Sequence, residues 1–277
     1  MNEAPDELKA LIYHSNHGLL KAREADDIHE CARIVQRFVA QRSNYSGPDS
    51  LLHHGNLLTD WDAVVNVYRA LEANEGGLWC GGVGTLLAAS LNAIGVRAEA
   101  YTYGYSPEGL SHTTCVYAVS DAQWVPHYYV IDAYLCYYYT DLEGTLMPLT
   151  EIWRNILAER YDRIVRVDVE IERNLVADSE EEGKARGWLF PGPIPVPERS
   201  ATGKYVYPGA ILTFDKMFGP TTPITKLADR RRGSQPLEDY LCELMLVKPH
   251  FSLQQCQQCY PDISLRDQLV AVMTEGR

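Results

Sequence analysis

A wide apolar helix with a glycine-rich start is the feature of this 277-residue chain that most restricts its fold. Between residues 80 and 94 the apolar side chains form one broad stripe, made of Val83, Leu86, Leu87, Leu91 and Ile94. Small residues between them let neighbouring elements approach closely. Gly95 predicts a left-handed end to this helix, and the alternation of Val96, Ala98 and Ala100 with polar residues predicts a strand directly after it. The pattern therefore indicates a central helix that leads into a sheet.

The flanking patterns place further helices before this central helix and further strands after it. Helical spacing predicts a helix from Ile28 to Val39 behind the cap of Asp26 and Asp27, and a second from Trp61 to Leu71 with Thr59 as cap. Later alternation and periodicity predict strands over 111–119, 125–135 and 165–171 and a short helix over 149–160. The expected fold class is α+β, with the central helix packed on an antiparallel sheet.

A change of composition divides the chain near residue 172. The acidic stretch 178–182 and the proline-rich run 191–197 are typical of a boundary or a long surface connection. We expect a core over residues 1–172 that includes the N-terminal helices. Residues 173–277 form a C-terminal extension, which could act as a lid or as an oligomer contact.

Charge and cysteine content limit the partners that the chain can have. The formal net charge of −12 argues against non-specific binding to nucleic acid and to anionic membranes. No stretch has the roughly 18 consecutive apolar residues of a membrane span, and the N-terminus lacks a secretory signal pattern. Seven scattered cysteines suit reduced thiols better than a disulfide framework. These features predict a cytoplasmic protein without nucleic-acid or membrane partners, and they leave its oligomeric state open.

Three chemically active residue types follow one another on elements that could position them. Residues 76–82 read Gly-Gly-Leu-Trp-Cys-Gly-Gly, so Cys80 opens the apolar helix, where the positive end of the helix dipole favours thiolate. His112 begins the strand 111–119, and Asp132 lies within the strand 125–135. A nucleophile, a base and a group that orients the base therefore appear in order.

The pair of His112 and Asp132 requires that both side chains lie on one face of an antiparallel hairpin. Pairing His112 directly with Asp132 places Ser120 opposite Trp124 and leaves a three-residue loop over 121–123. A two-residue loop would put the two side chains on opposite faces unless Pro126 marks a bulge. We predict the register with the three-residue loop.

Taken together, these motifs resemble the transglutaminase-like superfamily of papain-like cysteine enzymes. The resemblance is carried by the Gly-Leu-Trp-Cys80 helix start, the helix-to-strand junction 91–98, His112 at the head of a strand, and Val-Ile-Asp132-Ala. It covers roughly residues 26–140. One departure is that Arg97 comes directly after Val96, one position earlier than is usual in that family.

The resemblance implies a transglutaminase-like core and a cysteine-dependent reaction without a cofactor. Cys80 would attack an amide or ester carbonyl to form a thioester, His112 would move the proton, and Asp132 would orient His112. The substrate would be an amide-bearing small molecule or a peptide, and the acyl group would pass to water or to an amine. The backbone N–H of Cys80 is the natural oxyanion donor. A second donor is open, with Asn74, Trp61 and Trp79 as candidates.

Two other functions remain compatible with the sequence. One is an acyl-CoA-dependent N-acyltransferase, although the arylamine acetyltransferases favour an Arg-Gly-Gly-x-Cys approach from which Leu78-Trp79 departs. The other is a catalytically inactive domain that binds a peptide or protein partner.

The remaining candidates favour structural roles. Cys256 and Cys259 form a single CxxC without the second ligand pair that structural zinc needs, so no metal site is expected. We interpret Cys115 and Cys136 as core residues and His127 as a packing or substrate-contact residue. The tyrosine-rich stretch 128–139 suggests an aromatic-walled cleft.

Overall fold

The computed structural model describes residues 3–45, 60–104, 111–158, 160–185, 190–212, 267–268 and 271–272. These residues form helices and two antiparallel sheets, which confirms the predicted α+β class. Among them, no helix has both the length and the apolar character needed to cross a membrane.

Four helices precede the central one: α1 (Asp6–His14), α2 (His17–Glu24), α3 (Ile28–Arg42) and α4 (Trp61–Glu72). The predicted cap of α3 is confirmed, because the Asp27 side chain accepts a hydrogen bond of 2.9 Å from the Glu30 N–H. At α4 the capping side chain is Asp60, which accepts from the Ala63 N–H. The predicted cap Thr59 lies outside the described residues.

The central helix α5 spans Cys80–Ala93 and is buried along almost its whole length. Gly95 lies just after its C-cap, Ile94, and its φ of +80° confirms the predicted left-handed position. Gly84 lets the helix approach the sheet, because a Cβ at this position would lie 2.7 Å from the Thr114 carbonyl oxygen. This close approach brings the start of α5 against the strand that carries His112.

The larger sheet is an antiparallel meander in the order β1-β2-β3-β4-β5. Its strands are β1 (Ala98–Gly104), β2 (Ser111–Ser120), β3 (Pro126–Asp132), β4 (Tyr137–Thr140) and β5 (Val165–Asp168). Helix α5 packs on β1 and β2, while α6 (Leu149–Leu157) packs on β3. His112 therefore lies on a strand against which the central helix packs, and Asp132 ends the neighbouring strand β3.

The predicted register of the β2–β3 hairpin is wrong by two residues, but His112 and Asp132 still lie on the same face of the sheet. Ser120 pairs with Pro126 rather than with Trp124, so the loop has five residues, 121–125. The Asp121 side chain organises this loop by accepting hydrogen bonds from the Gln123 and Val125 N–H groups, and Trp124 adopts φ +62°. Because the offset is even, His112 and Asp132 stay on one face as diagonal neighbours.

The predicted strand 125–135 is also too long. Strand β3 ends at Asp132, the chain turns over residues 133–136, and Tyr137 then begins β4 antiparallel to β3. The turn is held partly by Asp132 itself, whose Oδ1 accepts a hydrogen bond from the Leu135 N–H. Asp132 thus ends a strand instead of lying inside one.

A second, three-stranded sheet follows in the order β6-β8-β7, with β6 (Glu172–Ala177), β7 (Glu198–Arg199) and β8 (Tyr205–Ile211). A 3-10 turn at Tyr161–Arg163 precedes β5, and α7 (Glu180–Ala185) follows β6. Leu175 and Tyr207 of this sheet belong to the same cluster of buried apolar side chains as the central helix. Residues 213–266 of the predicted extension lie outside the described residues, so its role as lid or oligomer contact stays a prediction.

Candidate active site

The three predicted residues come together at the start of α5. The Nε2 atom of His112 lies 2.6 Å from Oδ2 of Asp132, and the imidazole also makes a hydrogen bond with the Cys80 thiol. Since Nε2 is used by the carboxylate, the other ring nitrogen, Nδ1, faces the sulfur. The arrangement is a chain of thiol, imidazole and carboxylate.

Solvent accessibility decreases from the Cys80 thiol to the His112 imidazole and then to the Asp132 carboxylate. Cys80 is half-buried, whereas His112 is 3% exposed and Asp132 is fully buried. Both oxygens of Asp132 are used, since Oδ1 accepts from the Leu135 N–H and Oδ2 from His112. A carboxylate enclosed in this way is tolerated only when it is hydrogen-bonded, and it can serve as a fixed orienter of the ring.

The charges of the site favour an imidazolium at His112. Burial alone would lower the pKa of the imidazole, but the Asp132 carboxylate and the Cys80 sulfur raise it to about 10. The ring is therefore the positive member of the chain at neutral pH. It lies between two groups that carry negative charge when ionised.

The interaction between Cys80 and His112, which raises the pKa of the imidazole, lowers the pKa of the thiol. Burial raises the pKa of the Cys80 thiol, but the hydrogen bond and charge of His112, together with a hydrogen bond from the Thr113 backbone, bring it below the ordinary value. The start of α5 adds the positive end of a helix dipole. The site thus favours a thiolate–imidazolium pair.

Backbone pairing holds the segment that leads into Cys80. The Leu78 N–H donates to the carbonyl oxygens of Ser43 and Asn44, both at 3.1 Å. Tyr45 forms bridges with Leu78 on one side and with Leu175 of β6 on the other. The first N–H groups of α5 have no intrahelical acceptor, and Trp79 provides no side-chain cap. They are available to an oxyanion beside the sulfur.

The candidates for a second oxyanion donor occupy different positions. Asn74 Oδ1 accepts hydrogen bonds from Asn44 and Asn174, so this residue helps to hold the loop before Cys80. Trp79 is 42% exposed next to the thiol, and Trp61 packs partly buried at the start of α4.

Two supporting residues were missed by the sequence reasoning. Gln36 of α3 is buried and donates from Nε2 to the carbonyl oxygens of Asp132, at 2.6 Å, and Tyr137, at 3.2 Å. Arg173 of β6 is also buried and donates to the Ala133 carbonyl and to the Cys136 sulfur. Every second residue from 165 to 171 is apolar, and Arg173 occupies the next position of this series. A charged residue at a position expected to be buried is the signal that could have revealed it. Gln36 lies beside the apolar stripe of its helix, which is too weak a signal.

The other sulfur and histidine candidates have structural surroundings. Cys31, Cys115 and Cys136 are buried, and burial raises the pKa of each thiol above its ordinary value. His127 lies 3.1 Å from Asp121 in a partly exposed pair on the hairpin. Most of the tyrosine-rich stretch is buried instead of exposed along an open cleft, as shown by Tyr128, Tyr134, Tyr137 and Tyr139.

No metal site is found within the part of the chain that the structure describes, since none of its His, Cys, Asp and Glu side chains form a suitable group of three. The CxxC of Cys256 and Cys259 lies outside those residues. The chain matches no family model, no curated protein sequence and no solved structure.

Proposed function

We propose that the protein is a transglutaminase-like cysteine enzyme that cleaves or transfers acyl groups through a thioester on Cys80. The observation that carries the proposal is the chain of hydrogen bonds from the half-buried sulfur through His112 to the fully buried Asp132. A structural cysteine does not need an imidazole with a raised pKa and a buried carboxylate behind it. The nucleophile at a helix start on an antiparallel sheet supports a papain-like core.

In this reaction the Cys80 thiolate attacks the carbonyl carbon of an amide, and the carbonyl π electrons move to the oxygen. The tetrahedral intermediate collapses when the carbon–nitrogen bond breaks, and the His112 imidazolium donates its proton to the leaving amine. Water or a second amine then attacks the thioester, with His112 as base, and the thiolate is released. Asp132 keeps the imidazole oriented and stabilises its positive charge throughout.

The test uses p-nitrophenyl acetate as an acyl donor that does not depend on the natural substrate. We expect a burst of p-nitrophenolate, and after acid quench an acetyl thioester that peptide mapping assigns to Cys80. Cys80→Ala should lose both the burst and the thioester. Cys115→Ala is the matched control, because this buried cysteine on β2 is remote from solvent and should leave the burst unchanged. An acetyl group on other residues, formed equally fast in Cys80→Ala, would contradict the proposal.

The choice of acyl acceptor and donor separates the related functions. If methylamine diverts the acetyl group to an amide, transfer to amines is favoured over hydrolysis. Rapid acetylation of Cys80 by acetyl-CoA would support the N-acyltransferase alternative. A thiol at Cys80 that stays as slow as an ordinary thiol with every donor would favour the inactive partner-binding domain.

A further inference from the structure

The Tyr134 hydroxyl is a buried polar group that the proposed triad leaves without a role. Tyr134 lies in the turn after Asp132 and is 2% exposed. Its oxygen is fully enclosed and makes no hydrogen bond of ordinary geometry among the described residues, although the Tyr45 side chain lies close enough to interact with it. Buried polar groups in folded proteins are nearly always paired, so an unpaired one beside a candidate active site needs an explanation.

Ring contacts place this side chain against the triad. The ring centroid of Tyr134 lies 5.9 Å from that of His112 and 5.8 Å from that of Tyr45. Through its backbone, Tyr45 is bridged to Leu78, two residues before the nucleophile. The phenol is therefore enclosed between the imidazole and the segment that holds the start of α5.

Electrostatic interactions also connect the hydroxyl with the sulfur. Burial raises the pKa of Tyr134 well above its ordinary value, and the neighbouring Tyr45 and Cys80 groups raise it further. The phenol consequently stays protonated at any pH at which the enzyme would work. A protonated hydroxyl near a thiolate can donate one hydrogen bond to a negatively charged oxygen that forms there.

We propose that Tyr134 is a further catalytic residue, whose hydroxyl donates a hydrogen bond to the oxygen of the reacting carbonyl, opposite the Cys80 N–H. This inference rests on the proposed acyl-transfer function and supplies the second oxyanion donor that it lacks. When the carbonyl π bond opens, the oxygen becomes an oxyanion that accepts from both donors. When the carbonyl re-forms and the leaving group departs, the hydroxyl is free again, and it neither gains nor loses a proton.

The test compares two reagents that differ in whether an oxyanion forms. Acylation of Cys80 by p-nitrophenyl acetate passes through a tetrahedral oxyanion, whereas alkylation by iodoacetamide does not. We expect Tyr134→Phe to slow acylation by roughly 100-fold, as removal of an oxyanion donor does in other enzymes. Alkylation should keep the wild-type rate at every pH, because the thiolate–imidazolium pair is unchanged.

Tyr117→Phe is the matched control. Tyr117 is equally buried on β2, but its hydroxyl pairs with His29 Nδ1 at 2.8 Å on the opposite face of the sheet. This substitution should leave acylation and alkylation of Cys80 unchanged. It also measures what the loss of one buried hydroxyl does to the stability of the fold.

Each result decides the proposal. Slower acylation with unchanged alkylation supports it. Unchanged acylation overturns it, and so does an equal fall in both rates, since the hydroxyl would then act on the thiolate or on the fold. If the wild-type protein forms no acyl group at Cys80, the proposed function itself fails. This outcome differs from failure of the Tyr134 proposal alone, in which the wild-type protein is acylated and Tyr134→Phe is acylated at the same rate.

Discussion

At the scale of single residues, burial and charge have opposite effects on the ionisation of the site. Burial opposes ionisation of both the Cys80 thiol and the His112 imidazole, yet each ionised group stabilises the other. Asp132 adds a second negative group behind the ring at 2.6 Å. The pair can therefore stay ionised in a place that would keep either residue neutral by itself.

The reactivity of Cys80 should reveal this ion pair. Because the folded-state pKa of the thiol is lowered, thiolate is lost only when the pH falls below that value. Iodoacetamide should therefore modify Cys80 faster at about pH 6 than it modifies an ordinary thiol, which is well under about 1% ionised there. His112→Ala should slow this reaction by at least roughly tenfold, since it removes the hydrogen bond and charge that lower the pKa. The rates are followed by mass spectrometry of the Cys80 peptide.

His127→Ala is the control for this measurement. His127 lies on the same hairpin but in a partly exposed pair with Asp121. It should leave the pH profile of alkylation unchanged. A profile that follows an ordinary thiol in wild-type protein would contradict the ion pair.

The Asp132 carboxylate should matter through its effect on the ring. In Asp132→Asn the shape is kept, but the negative charge that raises the pKa of His112 is lost. We expect the pKa of the imidazole to fall below the wild-type value of about 10, and NMR titration of the ring in both proteins would check this shift. Thioester formation should fall by at least about 100-fold, by analogy with serine enzymes in which this residue is replaced.

Asp121→Asn provides the comparison, because its partner His127 makes a similar contact at 3.1 Å with both side chains partly exposed. Exposed pairs of this kind contribute little free energy. Thioester formation should be unaffected. Equal losses in the two variants would show that the Asp132 effect is not specific to the site.

At the scale of elements, the contact between α5 and β2 decides whether sulfur and imidazole meet. Gly84 lies one turn after Cys80, and its missing side chain permits the backbone of β2 to approach. In Gly84→Ala the new Cβ would lie 2.7 Å from the Thr114 carbonyl oxygen, so helix or strand has to shift. We expect a loss of about 1–3 kcal/mol in the free energy of unfolding, measured by denaturant titration. Alkylation of Cys80 at low pH should slow as well.

Gly192→Ala is the matched control, because a Cβ at this exposed position meets no atom within 4 Å. Its stability and reactivity should equal those of the wild type. If Gly84→Ala behaved in the same way, the close approach of helix and strand would not be needed for the site.

At the scale of the whole molecule, the second sheet helps to hold the site. Arg173 of β6 reaches the turn after Asp132, where it donates to the Ala133 carbonyl at 3.2 Å and to the Cys136 sulfur at 2.7 Å. Its third contact is the Ser43 hydroxyl, which belongs to the segment paired with Leu78. One buried side chain thus connects the turn of the carboxylate with the approach to the nucleophile.

Arg173→Met should loosen both connections while keeping an apolar side chain of similar length. The buried Ala133 carbonyl would lose a donor, which costs about 1–3 kcal/mol of unfolding free energy. Alkylation of Cys80 at about pH 6 should slow because the carboxylate behind His112 is held less firmly. Arg199→Met, on the exposed hairpin of the same sheet, should change neither quantity. Wild-type reactivity in Arg173→Met would restrict this residue to a role in folding.

The α+β class and the proximity of the three candidate residues could be predicted because they depend on local patterns. The stripe from Val83 to Ile94 and the glycine at 95 follow helical geometry, and the face shared by His112 and Asp132 depends only on whether the register offset is even. The hairpin loop was mispredicted because Asp121 supports a five-residue turn with Trp124 at positive φ, a conformation that residue preference disfavours. The end of β3 was missed because Asp132 and its turn lie within a continuous run of apolar and aromatic residues.

The order of the chain alone determined that a cysteine starts a buried helix and that a histidine and an aspartate lie on the two strands of one hairpin, whereas the face that they share depended on the register of that hairpin. Only the tertiary structure decided that Gln36, Tyr134 and Arg173 surround them, since these contacts join segments far apart in the sequence. Local patterns are set by the periodicity of neighbouring residues, which a single sequence displays. Contacts between distant segments depend on how whole elements pack, and the pKa values of buried groups depend on those contacts in turn.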